Sequence, residues 1–204
     1  MKRIRSLIII GAFLFVSAGS LLAATAFTVR AVVPAATSVN ITASSVTGTT
    51  WTSQGTTLAF GTMTYVTTVV NGVPSSIWRA PNYFAVDVAN AGAGSPNVTV
   101  VYADVAMPVG QVHGLGYKGT IDFKKVVLNA ITGATTETAI SGHVKKALRS
   151  VASENVLPAL TAGGWLRLYV GLADGAVGTV GEPFTAADQP GTYTGTLTIT
   201  ATVS

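Results

Sequence analysis

Polar and apolar positions alternate without a break near the end of the chain. Every even position from Thr192 to Thr202 is threonine, and the odd positions carry Tyr193, Gly195, Leu197, Ile199, Ala201 and Val203. A period of two sends the two sets to opposite faces of one extended strand. Threonine is β-branched and does not ionise, so the hydroxylated face favours the strand without adding charge. Shorter versions of the pattern recur. Val39, Ile41 and Ala43 alternate with Asn40 and Thr42, while Phe84, Val86 and Val88 share a face with Asp87 opposite. Leu166, Leu168, Val170 and Leu172 alternate with Arg167 and Tyr169, and Val98 to Val105 is the near-continuous apolar run of a central strand. Asn71-Gly72, between Thr62 to Val70 and Val73 to Arg79, predicts a tight hairpin. Thr132-Gly133 predicts another, between Ile121 to Leu128 and Ala134 to Ile140. Many short strands with frequent turns predict an all-β fold, an antiparallel β-sandwich.

One segment has a different period. Val144, Ala147, Leu148 and Val151 recur at helical spacing, with Ser141 as N-cap and Pro158 beyond the end. This predicts one short helix near residues 143–152. Lys145, Lys146 and Arg149 fall on its other side, as a solvated face or a contact for an anionic surface or neighbouring subunit. Ala91 to Pro96, Gly110 to Gly119 and Gly171 to Gly181 read as loops.

Composition changes the picture chiefly at the N-terminus. Met1 to Arg5 is basic, Leu7 to Leu22 is uncharged and apolar, and Ala24-Thr25-Ala26 is a small-x-small cleavage site. That layout predicts a secretory signal peptide over residues 1–26, with Phe27 the first mature residue and a secreted, extracellular or cell-surface destination. The alternative, an uncleaved anchor, has an apolar run short of the ~20 residues that a spanning helix prefers. Losing Lys2, Arg3 and Arg5 lowers the formal charge from +4 to +1. No electrostatic case for nucleic acid remains. The chain has no cysteine, so packing and strand pairing must stabilise it without disulfides.

Catalysis needs converging polar groups, and few are on offer. The acids are scattered, His113 and His143 stand in no paired metal spacing, and no G-x-S-x-G elbow occurs. The glycines of Gly110 to Gly119 do not open a helix after a strand, as a phosphate loop must. No catalytic residue, metal or small-molecule cofactor is expected, and the chain reads as a structural protein. Two alternatives belong to other classes. Trp51, Trp78 and Trp165 would stack on sugars in a monomeric carbohydrate-binding module, and an exported hydrolase would be built around His113.

The sequence following the cleavage site is itself a one-sided strand. Phe27, Val29, Ala31 and Val33 lie on one face, Thr28, Arg30 and Val32 on the other, and Pro34 ends the segment. This divides the chain into the signal peptide, an N-terminal extension over 27–35 and a domain over 36–204. The termini resemble those of chaperone–usher pilins, particularly the archaic branch related to spore coat protein U. That family has a glycine fourteenth from the end, here Gly191, followed by alternating apolar sites, here Leu197, Ile199, Ala201 and Val203. Pro190 to Thr200 reads much like the family's ending and Leu58-Ala-Phe-Gly61 like one of its early strands. The family's aromatic second from the end is Val203 here, and its frequent disulfide is absent.

The resemblance implies an immunoglobulin-like, pilin-like sandwich that polymerises head to tail. The N-terminal extension of one subunit would fill a groove beside the last strand of the next, by β-strand addition. Phe27, Val29, Ala31 and Val33 are then the donor anchors. Gly191, Tyr193, Leu197, Ile199, Ala201 and Val203 form the acceptor edge. The implied partners are further copies of the chain, a periplasmic chaperone and an outer-membrane usher. The same strand pairing within its own domain is the competing arrangement.

Overall fold

The computed structural model describes residues 25–32, 39–70, 73–90, 96–129, 131–156, 164–176 and 180–203. Among them the strands are β1 (Thr25–Val32), β2 (Val39–Thr47), β3 (Thr50–Gln54), β4 (Thr57–Ala59), β5 (Thr64–Val70), β6 (Val73–Arg79), β7 (Tyr83–Asn90) and β8 (Pro96–Ala106). After the short helix α1 (Leu115–Lys118) come β9 (Gly119–Leu128), β10 (Thr135–Ala139), β11 (Lys146–Ala147), β12 (Glu154–Val156), β13 (Trp165–Leu172), β14 (Phe184–Thr185) and β15 (Tyr193–Val203). One sheet runs β12-β8-β15-β1-β4, and a second runs β10-β9-β13-β7-β2-β3 with β11 also on β9. A small third sheet runs β14-β6-β5, with Phe184 of β14 reaching into the shared core.

Alternation explains the layering. Tyr193, Leu197, Ile199 and Ala201 on β15 are fully buried with Val98 and Val100 of β8. Phe84, Val86 and Val88 of β7, Phe123 of β9 and Leu166, Leu168 and Val170 of β13 complete one hydrophobic cluster with them. Each such side chain contributes about 1.5–3 kcal/mol on burial. The fold is the expected all-β, mainly antiparallel sandwich. Both hairpins form: β5 pairs with β6 in the register Val70↔Val73, and β9 with β10 in the register Leu128↔Thr135. Gly133 supplies positive φ (+68°) in the second turn, where Asn129 Oδ1 accepts the Ile131 and Thr132 amides at 2.9 and 3.0 Å. Asn71 and Gly72 lie outside the described residues, as do residues 1–24.

The helix expected near 143–152 is not formed as such. Lys146 and Ala147 pair with Ile121 and Thr120 of β9, and a single 3₁₀ turn, Leu148–Ser150, follows. Ala147, Leu148 and Val151 are buried, but Val144 is 72% exposed. The pairing edge of β9 takes the backbone bonds that a helix would have kept for itself. The α-helix lies instead in the stretch expected as a loop. Its glycines make room for Asp104: a Cβ on Gly114 would stand 2.6 Å from the carboxylate, and Asp104 Oδ1 accepts the Gly116 amide at 2.8 Å.

Candidate assembly groove

Strand β15 is bonded on both sides. Strand β8 runs antiparallel to it along one edge, and β1 runs parallel along the other. β1 in turn pairs antiparallel with β4. Among the described residues β4 and β15 are joined only through β1. Without that strand the sheet has a slot, walled by β15 and β4.

The register of the slot follows the alternation. Phe27 aligns with Gly195 on one side and Leu58 on the other, Val29 with Leu197, and Ala31 with Ile199. Thr28, Arg30 and Val32 align with Thr196, Thr198 and Thr200. The apolar set of β1 is thus in step with the buried set of β15, and Leu58, Leu197, Ile199 and Ala201 are all fully buried. Val33 lies outside the described residues. β1 starts at Thr25, across the expected cleavage site, and ends at Val32, before Pro34.

The outer edge of the last strand is therefore not open in the isolated chain. Its own first strand covers it. An alternating strand fits any complementary edge, and its own is the nearest.

Two glycines at the start of the β15 segment stand against β8 and the loop that follows it. Gly191 has φ +146°, and a Cβ there would come within 2.8 Å of Pro108. At Gly195 a Cβ would run into the Tyr102 phenol. That phenol donates to Asp104 Oδ1 at 2.7 Å, and burial, with the carboxylate beside it, pushes its pKa well above the usual range. Tyr193, at the start of β15, packs edge-on against Phe184 at 4.9 Å and donates to the Gln189 carbonyl at 2.8 Å. Burial, reinforced by the Asp188 charge, raises its pKa to about 12. Val203 closes the strand opposite Pro96.

Beside this end lies a polar node with no counterpart among the sequence expectations. Lys118 is 5% exposed, with Nζ 2.8 Å from Asp188 Oδ1, and it donates to the Pro183 carbonyl at 3.3 Å. Asp188 also accepts from Gln111 Nε2 at 2.8 Å and the Thr185 amide at 2.7 Å. Burial would raise its pKa, but the bonds from Lys118, Thr185 and Gln111 outweigh it and hold the carboxyl below its ordinary range. Lys118 and Asp188 stand far apart in sequence, in segments without periodicity, so no spacing links them.

Each of the two histidines faces a carboxylate. His113 Nδ1 is 2.6 Å from Glu182 Oε2, and its ring stacks on Tyr117 at 4.0 Å. His143 Nδ1 is 2.6 Å from Glu154 Oε1, whose other oxygen holds Lys146 at 2.7 Å. Among the described residues no three His, Cys, Asp or Glu side chains are grouped to hold a metal ion, and no helix is long and apolar enough to cross a membrane.

The tryptophans do not form one platform. Trp51 is 45% exposed with its ring 4.6 Å from the Arg167 guanidinium, and Trp165 is half-buried with its ring 5.7 Å from the same group. Arg167 itself is clamped by Asp87 through Nε (2.6 Å) and Nη2 (2.7 Å), and by Glu137 at 2.7 Å. Trp78 belongs to the third sheet, against Tyr65. A shallow cleft of about 320 Å³ nearby is lined by Tyr83, Asp122, Lys145, Tyr169 and Gly171, without a tryptophan.

No family model matches the chain, and no curated protein matches it significantly.

Proposed function

We propose that the protein is a structural subunit of an extracellular filament, which polymerises by exchanging β1 between chains. The observation behind this reading is the slot. Among the described residues one strand, β1, joins β15 to β4, and its apolar positions are in step with buried ones; in the sequence Pro34 follows it. A strand supplied by a second copy in the same direction would make the same main-chain bonds and fill the same positions; one supplied in the opposite direction would fill alternate positions through a different bond pattern. Until then an assembly chaperone could lend a strand to the same slot, with an usher ordering the exchange.

Direction decides between a closed pair and a fibre. Val32 aligns with Thr200, at the end of the sheet where Val203 meets Pro96. Only residues 33–38 separate β1 from β2, so the donor's body stays within roughly 25 Å of the point where its strand leaves the slot. Parallel insertion, as in the isolated chain, sets the donor's body against the same end of the acceptor. Two chains swapping in that way close into a dimer, because the contact is isologous. Antiparallel insertion brings the donor's body out at the Tyr193 end. That contact is heterologous and propagates. A period of two permits the reversal, since every second residue still faces the slot.

The test is assembly of the mature chain. Wild type should give filaments in negative stain and an oligomer ladder after heating in mild detergent. Val29→Asp and Val33→Asp should give neither. Ladders of wild-type length from both variants would remove the reading.

A further inference from the structure

Among the described residues Lys118 is the one buried charged residue, and the exchange of β1 makes no use of it. Its side chain and that of Asp188 are 6% and 10% exposed, with Nζ 2.8 Å from Oδ1. The Lys124–Asp122 and Lys146–Glu154 pairs are more open to water. The Phe184 ring centre lies 5.5 Å from Nζ, and that ring is itself buried against Tyr193. An amine and a carboxyl held in contact in a water-poor, aromatic-lined site are the two reactants of an amide bond, already in place.

The surrounding groups suit that condensation. Asp188 Oδ2 accepts the Thr185 amide at 2.7 Å and the Thr185 hydroxyl at 3.3 Å. Donors so placed stabilise the negative charge that builds on a carbonyl oxygen under attack. Oδ1, which meets Nζ and Gln111 Nε2, is then the departing oxygen. A second carboxylate stands close by. Glu182 Oε2 is 3.9 Å from Lys118 Nζ and 2.6 Å from His113 Nδ1, and its side chain, 44% exposed, links the site to solvent. After a small shift it can take a proton from the lysine nitrogen.

We infer that Lys118 and Asp188 condense to an intramolecular amide once the chain has folded, with Glu182 as the proton carrier. One ammonium proton passes to Oδ1, giving a neutral amine and a neutral acid. Nζ attacks Cγ, and a second proton leaves the nitrogen by way of Glu182 for the same oxygen. The Cγ–Oδ1 bond breaks, one water departs, the two charges cancel and no other reactant is consumed. Against burial, its hydrogen bonds hold the Asp188 carboxyl below its ordinary range, so the ion pair is the resting form. The step is therefore slow, and the acid dependence of the pair belongs to chains that have not yet taken it. The amide ties the start of β9, in one sheet, to the segment that enters β15, in the other, in a chain without cysteine to do so. It forms whether or not β1 is exchanged.

The test is mass spectrometry of the purified protein and its tryptic peptides, after incubation of wild type, Lys118→Arg and Glu182→Gln at neutral pH. Wild type should be lighter than its sequence by one water and should yield a branched peptide joining Lys118 to Asp188, uncut after Lys118. Lys118→Arg should keep its full mass, and Glu182→Gln should lose water roughly tenfold more slowly or less. Wild type at full mass, cut normally after Lys118, would overturn the inference. So would a loss of water that persists in Lys118→Arg, which would mark ring closure at Asp174-Gly175 instead.

Discussion

The Tyr102 hydroxyl occupies the place where a Cβ on Gly195 would stand. β15 thus gives up a side chain at one register position, opposite Phe27, so that a ring from β8 can lie across it. Gly195→Ala should destabilise the domain by about 1–3 kcal/mol, the usual range for overpacking. Combining it with Tyr102→Leu should recover part of that loss. Denaturant melts of the two single variants and the double variant give the coupling; strict additivity would show that the two residues do not compete for space.

The Lys118–Asp188 pair makes stability depend on acid. Asp188 has a pKa below its ordinary 3.8 in the folded chain. Its contribution is therefore complete above about pH 4 and is lost as pH falls through the lowered value. Glu154, which Lys146 and His143 hold below its ordinary 4.5 against the effect of burial, acts in the same direction. Thermal melts between pH 2 and pH 7 should show the decline. Asp188→Asn should cost about 3 kcal/mol at pH 7, because it takes the nearer carboxylate from the buried Lys118 and leaves only Glu182, 3.9 Å away, and should flatten the acid limb.

Arg167 depends on its fork. Lysine cannot make the two bonds to Asp87 or present a planar face to Trp51. Arg167→Lys should lower stability by about 2 kcal/mol and shift the tryptophan fluorescence, as the Trp51 indole loses its guanidinium neighbour. Unchanged emission and an unchanged melting point would show that the outer-face cluster is decorative.

Much of the sandwich was legible because burial leaves a period-two trace. The alternation from Thr192 to Val203 and from Leu166 to Leu172 became β15 and β13, and the turn dipeptides fell between the paired strands. The segment around Ala147 and Leu148 misleads, because a two-residue strand followed by a 3₁₀ turn buries the same residues as a helix would. α1 is too short to show a period. Lys118 and Asp188 meet only through the tertiary fold. Nor can alternation say whose edge a strand will pair with: Phe27, Val29 and Ala31 fit their own β15 as well as any copy of it.

Because the chain has no cysteine, that last ambiguity can be resolved with one engineered disulfide. Thr28 and Thr196 are register neighbours on the hydroxylated side of β1 and β15, within the ~4.4–6.8 Å Cα separation that a disulfide spans. In a Thr28→Cys, Thr196→Cys chain, oxidation should lock β1 into its own slot. If exchange of β1 builds the filament, the oxidised protein stays a single band without fibres, and reduction restores both ladder and filaments. Filaments of equal length from the oxidised and reduced protein would contradict the account.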